Sequence, residues 1–71
     1  MLISYDDKFD LLYIRLIEKQ QQVLNKRIDD SIVLDIGEDN KIVGIEILDA
    51  SEIIDLHQLL PVHYATTGKV A

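Results

Sequence analysis

Four side chains able to do chemistry fall where strands should run: Tyr13, Arg15, Asp35 and Glu46. Each sits among aliphatic residues, where a charge is costly to place unless it meets a partner. If their strands are neighbours, Arg15 pairs across the sheet with Asp35 or Glu46. Read functionally, an arginine with two acids and Tyr13 makes a small polar site for an anion or for a partner's charged group. Read structurally, the same charges fix register and orient one copy of the chain on another at a mixed interface. We favour the structural account.

The other polar clusters read as turns. Asp6, Asp7 and Asp10 could offer oxygen ligands to a hard cation, but the twelve-residue calcium loop with its central glycine and terminal glutamate is absent. The simpler expectation is that Asp6 or Asp7 bonds its own backbone. Gly37-Glu38-Asp39-Asn40 supplies a hairpin turn, with Gly37 and Asn40 tolerating left-handed dihedrals. Gly44, in mid-strand, marks a bulge, a close backbone approach, or room for Tyr13 to lie over it. His57 and His63 are the candidate proton shuttles, and His57, among Ile53, Ile54 and Leu60, reads as packed or interfacial. No serine shows a nucleophile motif, and three glycines form no phosphate loop. The absence of cysteine excludes disulfides and thiolate metal sites. The sequence therefore assigns no catalytic residue, no metal and no cofactor, and the chain is not expected to be an enzyme.

The elements that must position these residues are legible in the alternation of side chains. Leu2–Tyr5 reads as a first strand and Leu11–Ile17 as a second, with Leu12, Ile14 and Leu16 on one face. Ser31–Ile36 and Lys41–Leu48 form the strongest pair, a hairpin across the polar turn. The segment 22–28 fits a strand, a helical turn or a loop. After Leu48 the period changes. Asp49-Ala50-Ser51-Glu52 fits a capping box, and Ile53, Ile54, Leu56 and Leu60 follow at helical spacing. Pro61 ends that helix. These elements make an α+β fold: an antiparallel sheet of about four strands with one C-terminal helix packed on one face. A single domain spans residues 1–60, and 61–71 is a tail, either frayed or carrying a short strand at Val62-His63-Tyr64.

Each of the three best strands has one apolar face for the helix to cover. The other face carries Leu11, Tyr13, Ile17, Val33, Ile42 and Leu48 with Arg15, Asp35 and Glu46 among them, which is too apolar for a face open to water. One helix cannot cover both faces, so a second copy is the expected cover. Composition agrees. Seventy-one residues, 48% of them hydrophobic, have little interior to hide in. Thirteen acidic against seven basic side chains give a net charge of −6, which disfavours nucleic acid and suits a basic protein partner. No basic, apolar leader and no run of membrane-spanning length is present, so the expected location is cytoplasmic.

The blocks Ser4-Tyr5-Asp6, Asp10 with Leu12-Tyr13-Ile14, Asp29, Leu34-Asp35 and Ile42-Val43-Gly44-Ile45-Glu46-Ile47-Leu48-Asp49-Ala50-Ser51 resemble a family of small bacterial and archaeal proteins, domain of unknown function 2283. The resemblance covers roughly residues 2 to 54. Residues Asp10-Leu11 depart from the Asp-Ala that the family often has there, and the middle spacer varies. The resemblance implies a compact β-meander capped by a helix, and it brings no activity or catalytic residues. Some members look like halves of two-gene modules beside small toxin-like proteins. The expected function is a homodimeric protein–protein interaction module, in its concrete form the neutralising partner of a toxin-like protein. The alternative is a domain that binds a small anion or metabolite at the dimer seam, near Arg15 and Tyr13.

Overall fold

The computed structural model describes residues 1–61 and 64–68. The chain forms β1 (Leu2–Asp6), β2 (Leu11–Arg15), β3 (Leu24–Arg27), β4 (Ile32–Ile36) and β5 (Ile42–Leu48), followed by two single helical turns, α1 (Ala50–Ile53) and α2 (Leu56–Leu59). The strands make one antiparallel sheet in the order β1-β2-β5-β4-β3.

Three expectations are corrected. First, the sheet has five strands, and it is not a simple meander: the chain leaves β2, crosses to the far edge, and returns through β4 to place β5 beside β2. The extra strand, β3, is an edge strand exposed along its whole length, so its sequence carries no apolar alternation to read. Second, the single C-terminal helix is two turns, separated where Ile54 adopts extended dihedrals (φ −123°, ψ 136°). Asp55 then starts α2, its Oδ1 accepting from the His57 N–H at 3.1 Å. Third, the capping box does not form. Asp49 is left-handed (φ 52°, ψ 45°) and its side chain caps nothing, since side-chain capping needs the extended dihedrals typical of an N-cap.

The turns follow their local chemistry. Asp6 Oδ1 accepts from the N–H groups of Lys8 (2.9 Å) and Phe9 (3.3 Å), closing the first hairpin onto its own backbone. Asp29 Oδ1 does the same for Ser31 (2.7 Å) and Ile32 (2.9 Å). In the β4–β5 turn, Asp39 and Asn40 take the left-handed dihedrals (φ 59° and 58°), while Gly37 has φ −101°. Gly37 serves space instead, because a β-carbon there would overlap Gln21 and a Val43 methyl. A bulge pairs Asp35 with Gly44 but Ile36 with Ile42, leaving Val43 without a partner on β4. The Val43 carbonyl accepts from Leu16 and Ile17 at 2.7 and 3.2 Å, which anchors the start of the crossing segment.

The core lies on one side of the sheet. Leu12, Ile47 and Ala50 are buried, and Ile3, Tyr5, Ile45, Ile54, Leu56 and Leu59 gather around them. Among the described residues, no helix is long and apolar enough to cross a membrane. Tyr64 is exposed, and the strand expected at Val62-His63-Tyr64 rests on Val62 and His63, which lie outside the described residues.

Leu12 is the one fully buried large side chain among the described residues. Leu12→Ala should cost about 2–5 kcal/mol, against a total stability of roughly 4–10 kcal/mol for a chain this long. Leu24→Ala, at a position 72% exposed, should cost less than about 0.5 kcal/mol. Urea denaturation followed by circular dichroism measures both.

Candidate functional site

Strand register gathers the four polar residues on the sheet face opposite the core. Arg15, Gly44, Asp35 and Asn25 lie in one row across β2, β5, β4 and β3. Tyr13, Glu46 and Val33 form the adjacent row. Tyr13 leans over Gly44, where an added β-carbon would lie 2.7 Å from Tyr13 Cζ and 2.8 Å from Cε1. The missing side chain is the room that Tyr13 needs. From there the Tyr13 hydroxyl donates to Asp35 Oδ2 at 3.1 Å.

Asp35 is 9% exposed and is the hub of the cluster. Besides Tyr13 it accepts from Asn25 Nδ2 at 2.6 Å, and the same amide reaches Glu46 Oε2 at 3.4 Å. A hydrogen bond to Asp35, then burial and the Asp35 charge, pushes the Glu46 carboxyl up to about 7. The raised Glu46 carboxyl is neutral below that value, which is how it sits beside Asp35 on a half-buried face. Burial raises the Tyr13 phenol, Asp35 adds to this, and Arg15 opposes it. Among the described residues no buried side-chain polar atom lacks a partner.

The expected pairing of Arg15 with Asp35 or Glu46 does not form. Among the described residues the ion pairs are the Met1 amino group with Glu18 and Lys19 with Glu38. Arg15 instead stands 5.8 Å from the centre of the Tyr13 ring. Tyr13, lying over Gly44, fills the space between the guanidinium and Asp35. Beside Arg15 opens a cleft of about 540 Å³, lined by Tyr13, Ile17, Val43 and the crossing segment from Glu18 to Val23.

Asn25 is the member that sequence reasoning missed, since it belongs to the edge strand. A second polar centre was also missed. Asp10 accepts from the Tyr5 hydroxyl (2.7 Å), the Ser51 N–H (3.0 Å) and Ser51 Oγ (2.6 Å), and its carbonyl accepts from the Ala50 N–H at 3.0 Å. The Ser51 hydroxyl, the Tyr5 hydroxyl and the Ser51 amide, in that order, hold its carboxyl below the ordinary value. Asp10 thus supplies from another turn the cap that Asp49 does not. His57 is exposed, and among the described residues no group of three acids or histidines is placed to hold a metal ion.

A family described as "Protein of unknown function (DUF2283)" matches residues 2–51. The chain belongs to this family. No curated protein and no solved structure matches it. The DUF2283 match spans all five strands and ends at Ser51, so it contains Asp10 and its Ser51 partner, together with Tyr13, Arg15, Asn25, Asp35, Gly44 and Glu46. It stops short of α2.

The raised Glu46 carboxyl sets a pH dependence. Between about pH 4.5 and 7 the unfolded chain gives up the Glu46 proton while the folded chain keeps it. The folded state therefore binds more protons, so stability falls as pH rises through that window and levels off above it. In Glu46→Gln, which cannot ionise, the slope should flatten. Denaturation midpoints of both proteins across that range, in dilute solution, give the comparison.

Proposed function

We propose that the chain is a homodimeric protein–protein interaction module with no chemistry of its own. The observation that carries this is the sheet face opposite the core, where half-buried Leu11, Val33 and Leu48 surround the Tyr13–Asp35–Glu46 cluster and the helical turns lie on the other side.

A basic protein is the partner that the charge suits. The first two hairpin turns and the start of α1 lie at one end of the sheet, and bring exposed Asp6, Asp7, Asp29, Asp30, Asp49 and Glu52 there. A toxin-like basic protein neutralised through this end is the concrete form of the reading. Native mass spectrometry of the tagged protein from its own host should find two copies, with a small basic protein at fixed stoichiometry where one is engaged. A single copy alone would refute the module. Failure of co-expression to rescue cells from a neighbouring toxic gene would refute neutralisation.

A second reading, a site for a small anion, is favoured by the cleft beside Arg15. It predicts that a carboxylate or phosphate metabolite raises the melting temperature and that Arg15→Ala abolishes the shift.

A further inference from the structure

We propose that the second copy seats on this face about a two-fold axis running along β5, so that Arg15 of each copy meets Asp35 of the other. The inference rests on the homodimer reading above and specifies its contact.

The register carries the geometry. Arg15 and Asp35 both pair with Gly44, from opposite sides of β5. Each is therefore one strand spacing, about 4.8 Å, from the β5 axis. A half-turn about a line along β5 exchanges the two positions across the interface, and an isologous contact makes the pairing twice. Two aligned sheets stack about 10 Å apart, a gap that an arginine and an aspartate side chain bridge together.

Charge supplies the reason. Within one chain Arg15 is in neither of the ion pairs among the described residues. Asp35, 9% exposed, accepts from two neutral donors, Tyr13 and Asn25. The cation and the anion cannot meet within the chain, because Tyr13 lies over Gly44 between them. One sheet face thus holds a charge of each sign in no ion pair among the described residues, at positions that a two-fold axis superposes. The two Tyr13 rings meet at that axis, where aromatic contact adds to the burial.

The test is sedimentation equilibrium of the full chain over a wide concentration range. The wild type should dimerise. Arg15→Glu, which sets like charges against each other twice, should weaken self-association about 100-fold or more, and Arg15→Gln should fall between. Lys26→Glu, an exposed change on a different sheet face, should leave association unchanged. Circular dichroism of the dilute variants checks that each remains folded. A dimer indifferent to Arg15→Glu overturns the cross-pairing and leaves the homodimer standing. A wild type that stays single overturns both, and if citrate then raises its melting temperature, Arg15 belongs to a small anion.

Discussion

Asp10 sits in the tip of the first hairpin with a left-handed backbone (φ 52°), and four hydrogen bonds converge on it from Tyr5, Ser51 and Ala50. Those bonds fix where the chain goes after β5. They hold the chain where Ala50 meets Leu12 and Ile47, with Ile54, Leu56 and Leu59 packed around them. A carboxylate that accepts from a helix-start amide and a hydroxyl works as an N-cap supplied from another element. It satisfies amides that Asp49, held left-handed, does not reach. Among the described residues, the crossing segment from Glu18 to Val23 borders the other face, beside Tyr13 and Arg15.

The face opposite the core is organised around an absence. Gly44 lacks the side chain that would hold Tyr13 away, so the phenol reaches Asp35 across β5. Asn25 completes the arrangement from the edge strand. Burying Asp35 would be costly for an isolated carboxylate, but here it is met by two hydrogen-bond donors and lies beside a carboxyl pushed up to about 7. The network is fully satisfied but carries no cation of its own. Arg15 is close by in sequence and on the same face, yet the Tyr13 ring that completes the network keeps it apart.

How much of this was legible follows from where each signal resides. β2, β4 and β5 announce themselves by alternation because one of their faces is buried. β3 does not, because Leu24-Asn25-Lys26-Arg27 is exposed on both faces and no burial pattern acts on it. Asn25 was lost with it. Tyr13, Arg15, Asp35 and Glu46 were recognisable as a group because polar residues in mid-strand need partners, and room for Tyr13 was one of the alternatives that a glycine in mid-strand offered at Gly44. Which of them pair was not readable, since that depends on β5 standing between β2 and β4. The break at Ile54 was hidden because Ile53, Ile54, Leu56 and Leu60 fit one helix as well as two turns. The role of Asp10 is a contact across forty-one positions, which no local pattern encodes.

The net charge of −6 bears directly on whether two copies can meet. The exposed acids are concentrated at the end of the sheet that holds the first two hairpin turns and Asp49, away from the row of Arg15, Gly44 and Asp35. That row lies four positions down β5 from Leu48, or about 13 Å at the rise of an extended strand. This exceeds the Debye length of about 8 Å at physiological salt, so the acidic end opposes face-to-face approach only weakly. A two-fold axis along the strands has a further consequence, because it leaves their direction unchanged and sets both acidic ends side by side. The dimer would then present one pole with twice the charge of a single chain, and a basic partner would meet a stronger field there than either copy offers alone.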